Sequence, residues 1–242
     1  MKKSFGVAVA LTLLAGGIAS NAMAANCDSG EMIRFTQNAF AYETNYTNGT
    51  YNSAPGSILS IVGHVAYFCA PMAALNPADP TKEYTFYITG LVSAGTQHIP
   101  LGPTTMHETD YAGGTWEIHE GSPENAPVDG TMPSLPDASV PSTFTDGPVI
   151  LSGTFANFHT SISVTGTNIN GSFRADYAAT GGAYYPQVGN GVALFQGLWC
   201  VTLKPAGCTP ATYSAHPDGK WDTAPTVGVN RSTWGAIKQL YR

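Results

Sequence analysis

Apolar and polar residues alternate along much of this chain with the period of two that is typical of β-strands. The clearest examples are residues 83–93 and 171–179. In the first of these, Tyr84 and Phe86 fall on one face, while threonines fall on the other. A third apolar run, at 57–69, is rich in β-branched and aromatic residues, which suit a pleated, packed surface. These patterns predict strands with one buried and one wet face, as in an antiparallel sheet.

Further strands are predicted at 32–44, 149–164 and 191–202, and the second of these is expected to form a hairpin with 171–179. Another hairpin is predicted between 104–111 and 115–120, because the glycines between them tolerate the backbone of a tight turn. Two long segments are predicted as loops. They are the Pro-rich surface loop 121–148 and the segment 204–229.

Eight or more short strands separated by Gly- and Pro-rich turns predict an all-β protein, built as an antiparallel β-sandwich or barrel with a short C-terminal helix at 232–241. Composition narrows the class further. Only 11% of the residues are charged, against about 25% in an ordinary soluble domain, and this excludes coiled coils and helical bundles. The apolar share of 43% is sufficient for a real core.

Residues 1–24 have the features of a secretory signal peptide. Lys2-Lys3 precedes an apolar stretch at 7–18, and Ala22-Met23-Ala24 is a small-x-small cleavage site. Cleavage there leaves one domain, 25–242, without a predicted membrane span. We therefore expect a bacterial protein that is secreted, periplasmic or on the cell surface. Without the two lysines, the 10 basic residues fall to 8 against 16 acidic ones, which argues against nucleic-acid partners.

Four cysteines, an even number, predict disulfides in an exported chain. Cys200 and Cys208 are separated by a short turn-forming stretch, so we expect them to pair, with Cys27 then bonded to Cys69. Free buried thiols are the alternative. Zinc binding by cysteine is not expected, because the chain has no C-x-x-C motif.

The acidic residues are concentrated around the predicted 104–124 hairpin. A turn at its two glycines would pair Glu108 with His119, and a register change of one residue would pair His107 with His119. In either register, His and carboxylate groups among His107, Glu108, His119 and Glu120 could converge on one face of the sheet. Nitrogen and oxygen donors arranged in this way can bind a divalent metal, the one cofactor the chain suggests, and paired carboxylates can do acid–base chemistry. The alternative is a solvent-facing hairpin in which His–Glu contacts offset charge repulsion.

Aromatic residues form a second group of candidates. Tyr184, Tyr185 and Trp221 lie in predicted loops, and Trp116 lies on the predicted hairpin. Rings beside Asn and Asp can stack on sugars while the polar groups bind hydroxyls. The alternative is that these rings close the ends of a barrel core.

Three stretches of the chain resemble uncharacterised secreted bacterial all-β proteins. They are Gly113-Gly114-Thr115-Trp116-Glu117-Ile118, residues 180–199 and the terminal Thr233-Trp234-Gly235-Ala236-Ile237-Lys238. The resemblance implies secretion and a β fold, and it implies no activity or catalytic residue.

The chain contains neither a G-x-S-x-G elbow nor a phosphate-binding loop. We therefore expect an exported, non-enzymatic β protein that acts by binding or assembly, through self-association or through glycans of a cell surface or matrix. The alternatives are a carbohydrate-binding domain that uses the loop aromatics and a metal-dependent enzyme centred on the 104–124 hairpin.

Overall fold

The computed structural model describes residues 27–35, 39–46, 50–127, 138–139, 141–201 and 214–223. The predicted signal peptide, the predicted C-terminal helix and Cys208 lie outside the described residues. Cys27 and Cys69 are disulfide-bonded as predicted, with their Cα atoms 6.0 Å apart.

The described residues form ten strands and two single-turn helical segments. The strands are β1 (Glu31–Phe35), β2 (Ala39–Glu43), β3 (Ile58–His64), β4 (Tyr67–Phe68), β5 (Glu83–Leu101), β6 (Thr104–Gly121), β7 (Val149–Thr165), β8 (Asn168–Gly181), β9 (Val192–Cys200) and β10 (His216–Asp222). A 3-10 turn at Ser142–Phe144 precedes β7, and the one-turn helix α1 (Tyr185–Val188) precedes β9.

All ten strands belong to one antiparallel sheet in the order β2-β3-β5-β6-β7-β8-β9-β10-β1-β4. The sheet curls until β2 meets the chain just before β10, where the amide of Ala41 donates to the carbonyl of Ala215 at 2.9 Å. The predicted all-β antiparallel class is therefore confirmed. None of the helices among the described residues has the length and apolar character needed to cross a bilayer.

Aromatic side chains fill the space that the sheet encloses. Phe35, Phe195 and Trp221 are fully buried, with ring centroids 4.6–5.7 Å apart. Trp116 is also fully buried and lies 6.0 Å from Trp221. The inward-facing residues of the described strands therefore form one apolar core.

A smaller apolar cluster lies on the outer side of β2 and β3. Phe144 packs there with Phe40 and Val62, and the Thr85 hydroxyl donates to the carbonyl of Phe144 at 2.8 Å. The buried Glu83 carboxylate accepts the backbone N–H of Ala126 at 3.0 Å. The described parts of the Pro-rich segment are therefore fastened to the sheet.

Two predicted elements are wrong. Gly113-Gly114 is no hairpin turn, because β6 runs continuously through it between β5 and β7. The actual turn joining β5 to β6 is at Gly102 and Pro103. The predicted loop 204–229 contains β10, which pairs with both β9 and β1.

Candidate functional site

The four predicted metal ligands do not converge. His107 and Glu108 lie twelve residues before His119 and Glu120 on the same continuous strand. At a rise of about 3.3 Å per residue, this separates the two pairs by about 40 Å. The predicted four-residue metal centre is therefore wrong, because it depended on a turn that does not exist.

Each of these residues has a local partner instead. The His107 ring contacts the His98 ring, with centroids 4.7 Å apart, and burial lowers the pKa of His107. His119 Nδ1 lies 2.8 Å from the carbonyl oxygen of Gly147, and Glu120 accepts from the Lys82 ammonium at 2.6 Å. Within the described part of the chain, no group of three or more His, Cys, Asp or Glu residues is placed to hold a metal ion.

Glu108 belongs to a different cluster, on the outer face of β6 and β7. His159 Nε2 lies 2.5 Å from Glu108 Oε2, and His159 Nδ1 lies 2.8 Å from Asp110 Oδ1. The hydroxyl of Ser161 donates to Glu108 at 2.7 Å. Because this serine is bonded to a carboxylate and not to the imidazole, the cluster lacks the Ser–His contact of an acyl-transfer triad.

The predicted aromatic ligands separate into two pairs. Trp116 and Trp221 are fully buried in the core, so neither ring is available to a surface ligand, and this part of the prediction is wrong. Tyr184 and Tyr185 are half-buried at the start of α1 and pack against the edge of the core. Their role in binding stays a prediction.

A polar row crosses the outer face of the sheet, formed by residues that face one another on successive strands. From β6 to β1, the register aligns Asp110, His159, Arg174, Gln196, Lys220 and Arg34. At about 4.8 Å between neighbouring strands, the row extends about 24 Å along the curved surface. It brings together side chains from six strands that are far apart in sequence.

An open groove of about 590 Å³ lies over the part of this row that runs from Arg174 to Arg34. Its lining consists of Asp28, Arg34, Ser172, Phe173, Arg174, Gln196, Gly197, Leu198, Asp218, Gly219 and Lys220. Leu198 is 65% exposed, so the groove offers an apolar contact beside its polar groups. Its volume is within the range of small-ligand sites.

The floor of the groove requires glycine. A Cβ atom on Gly197 would lie 2.0 Å from the carbonyl oxygen of Asp218, and one on Gly219 would lie 2.4 Å from that of Gln196. Neither distance is possible for real atoms. The close approach of β9 and β10 at this point therefore depends on the missing side chains.

Positive charge is concentrated in the groove. The described basic residues are Arg34, Lys82, Arg174 and Lys220, and all except Lys82 line it. Arg34 is held by Glu31 at 2.5 Å and by Asp28 at 2.8 Å, and the hydrogen bond to Glu31 raises its pKa, so its charge is permanent.

Two further ionisable residues, Lys220 and Asp218, line the groove. Lys220 lies 3.1 Å from Asp222 Oδ1. Burial raises the pKa of Asp218, against the opposing effects of Arg34 and His216. The paired cations are thus fixed in place by neighbouring carboxylates.

Arg174 differs from the other cations of the groove. Its side chain is exposed, and the guanidinium makes no hydrogen bond or ion pair with any residue that the structure describes. A guanidinium with five unused donors, set over a groove, is suited to bidentate binding of a carboxylate, sulfate or phosphate group.

Sequence reasoning missed this groove for a physical reason. The alternation in β8 does place Arg174 on the polar face, but its neighbours Lys220 and Arg34 lie on β10 and β1. A run of charged residues around Lys220 was visible in the sequence, although it was predicted as a loop. Only the pairing of β10 with both β9 and β1 places these cations in one row.

A buried polar cluster lies elsewhere, at the end of β2. The Glu43 carboxylate accepts hydrogen bonds from the hydroxyls of Ser53 and Tyr111, and Ser53 Oγ lies 2.6 Å from Ser93 Oγ. Burial raises the pKa of Glu43, and these two hydrogen bonds oppose the shift. The cluster is sealed from solvent, which makes it a structural feature of the core wall.

Comparison with known proteins adds no relative. No family model, curated protein or solved structure matches the chain.

Proposed function

We propose that this chain is an exported binding protein without catalytic activity. It recognises an anionic ligand of a cell surface or matrix in the open groove lined by Arg34, Arg174 and Lys220, which we call the basic groove. Export is inferred from the signal-peptide pattern of residues 1–24. The Cys27–Cys69 disulfide supports it, because such bonds persist in oxidising compartments.

The observation that carries the proposal is the clustering of cations around the unpaired Arg174. The chain has few basic residues, and three of the four described ones line a single groove. An exposed guanidinium without a protein partner leaves its full hydrogen-bonding capacity for a ligand. Gln196 and Ser172 beside it supply donors and acceptors for hydroxyl groups.

This chemistry favours an acidic glycan over a polyphosphate. The carboxylates of Asp28 and Asp218 line the same groove and repel a densely charged polymer. A uronic-acid sugar carries one carboxylate for Arg174 and several hydroxyls for the amide and serine. The exposed Leu198 side chain provides an apolar contact for the sugar ring.

Calorimetric titration with uronic-acid oligosaccharides tests the proposal, with neutral oligosaccharides of equal length as the ligand control. We expect saturable binding of the acidic series that weakens as salt is added. Replacement of Arg174 by Gln is expected to reduce affinity about tenfold, because charge-assisted hydrogen bonds contribute about 1.5–3 kcal/mol and an exposed one contributes less.

The matched control is Lys82→Gln, which removes the same charge from a residue outside the groove that is paired with Glu120. We expect it to leave binding unchanged. If both variants lost the same affinity, the effect would come from net charge and not from the position of Arg174 in the groove. The absence of binding to any acidic oligosaccharide would refute the proposal.

Self-association is a second candidate, favoured by the outer end of β5. Beyond Thr96, β5 pairs only with β6 among the described strands, so Gln97–Leu101 presents a free edge. Ile99 and Leu101 on this edge are 41% and 57% exposed. Unpaired strand edges are templates for pairing with a second copy.

Light scattering across a concentration series tests this candidate. We expect a concentration-dependent dimer that Ile99→Lys abolishes, because a charged side chain opposes edge pairing. A protein that stays monomeric at every concentration rules out assembly through this edge.

A further inference from the structure

Glycine follows asparagine at three places in this chain, which are Asn48-Gly49, Asn170-Gly171 and Asn190-Gly191. In such a pair the backbone nitrogen of the glycine can attack the side-chain amide carbon of the asparagine, because glycine has no Cβ atom to block the approach. The rate depends on whether the backbone can turn the two groups toward each other. Asn48-Gly49 lies outside the described residues, and the structure holds the other two pairs very differently.

The backbone of Asn170-Gly171 is fixed within β8. Asn170 pairs with Ser163 of β7, and Gly171 pairs with Ile162. Gly171 also lies against the end of β9, since a Cβ atom placed on it would be 2.0 Å from the carbonyl oxygen of Trp199. A paired antiparallel strand holds its residues extended. The nitrogen of Gly171 therefore reaches the Asn170 side chain only when this part of the ladder opens.

Asn190-Gly191 lies in the short connection between α1 and β9, and both residues are exposed. The last hydrogen bond of α1 is one residue earlier, where the N–H of Gly189 donates to the carbonyl of Tyr185 at 2.9 Å. The pairing of β9 with β8 begins one residue later, at Val192. Among the described residues, neither member of the pair takes part in a backbone hydrogen bond or a strand ladder. No ladder therefore opposes the rotation that the reaction needs.

We propose that Asn190 is a site of spontaneous deamidation. The Gly191 nitrogen loses its proton to water and forms a bond to the side-chain carbon of Asn190. The bond between that carbon and the side-chain nitrogen breaks, and the nitrogen leaves as ammonia, taking up a proton from water. Water then adds to either carbonyl carbon of the resulting five-membered imide, and ring opening gives aspartate or isoaspartate at position 190.

Both products change the connection before β9. Each carries a new negative charge, and isoaspartate also places an extra methylene group in the backbone. The reaction needs water and no other reactant. It goes beyond the proposed binding function and does not depend on the basic groove or its anionic ligand.

Incubation of the folded protein at mildly alkaline pH, followed by peptide mapping with tandem mass spectrometry, tests the proposal. Each deamidation adds about 1 Da. Trypsin cleaves after Arg174, so Asn170 and Asn190 fall in different peptides. We expect Asn190 to react at least about tenfold faster than Asn170, because the strand ladder protects Asn170. The rate at Asn190 is expected to rise with pH, because the attacking nitrogen has to lose its proton.

Two controls separate the effect of the fold from that of the local sequence. In urea with reductant the ladder is lost, and because glycine follows both asparagines, we expect their rates to agree within about threefold. Gly191→Ala places a methyl group beside the attacking nitrogen and is expected to slow the reaction at Asn190 about tenfold in the folded protein.

The proposal is overturned if Asn190 gains mass in urea but not in the folded protein, or if the folded protein modifies Asn170 as fast as Asn190. It is also overturned if Asn190 keeps its whole advantage in urea, since the fold would then have no part in it. An unchanged rate in Gly191→Ala would exclude the backbone nitrogen as the attacking group.

Discussion

Replacement of Phe195 by alanine measures how much the aromatic core contributes to the stability of the curled sheet. Phe195 on β9 is fully buried. Its ring centroid lies 4.6 Å from that of Trp221, 4.8 Å from Phe173, 5.1 Å from Phe155 and 5.7 Å from Phe35. These rings come from the two strands on either side of β9 in the sheet, so the side chain packs across five consecutive strands, β7 to β1.

The expected loss follows from this environment. Phe→Ala in a packed core costs about 3–5 kcal/mol, the sum of lost transfer energy and the cavity left behind. Rigid aromatic neighbours on several sides limit collapse of the cavity, so we expect the upper part of that range, about 4–5 kcal/mol. This is a large fraction of the roughly 5–15 kcal/mol that stabilises a typical domain. At about 2–4 °C per kcal/mol for a domain of this size, Tm falls by about 10–15 °C.

Urea unfolding monitored by tryptophan fluorescence gives the free energy of unfolding, with Leu198→Ala as the matched control. Leu198 lies on the same strand but points outward and is 65% exposed, so its loss is expected to cost under about 0.5 kcal/mol. If Phe195→Ala cost less than about 2 kcal/mol, or if the two variants cost the same, Phe195 would not face a packed core and Leu198 would not face solvent.

Three further predictions concern other features. Burial raises the pKa of Glu43, so the native state holds this proton more tightly than the unfolded chain, and stability falls as pH rises from about 4.5 through the native pKa. Glu43→Gln has no carboxyl group to titrate, so we expect its free energy of unfolding, relative to wild type, to increase as pH rises through that window in urea titrations. A difference in unfolding free energy that does not change with pH would contradict this. Loss of the Cys27–Cys69 bond, which spans 42 residues, is expected to cost about 4 kcal/mol, measured by unfolding with and without reductant. Gly197→Ala forces β9 away from β10 and is expected to cost about 2–3 kcal/mol in the same assay. A neutral result there would mean that the strands separate freely.

Strands with a regular alternation were predictable from local pattern. The β7–β8 hairpin is found where it was predicted, because the alternation of Phe173 and its neighbours matches the pleat of a sheet with one wet face. Much of β3, β5 and β9 is also found at predicted positions. In each case the information is local, since the period of two depends only on which face is buried.

The two wrong elements were misread because glycine and proline have more than one role. Gly113 and Gly114 have the positive φ angles that tight turns use, yet they lie within a continuous strand. The start of β10, His216-Pro217-Asp218-Gly219, has the composition of a loop. Gly219 is nevertheless required in the strand, because a Cβ atom there would lie 2.6 Å from the Phe173 ring.

The sequence by itself determined the all-β class and the faces of the most regular strands, because composition and pleat period are local properties. It favoured the Cys27–Cys69 pairing but left free thiols open, and only the structure brings the two cysteines together across 42 residues. Tertiary structure alone decided which strands are neighbours. That decision buried Trp221, separated His107 from His119, and aligned Arg174 with Lys220 and Arg34 across β8, β9, β10 and β1. The reason is physical: strand neighbours are selected by non-local packing of the aromatic core, and the outward-facing residues follow the register that this packing imposes.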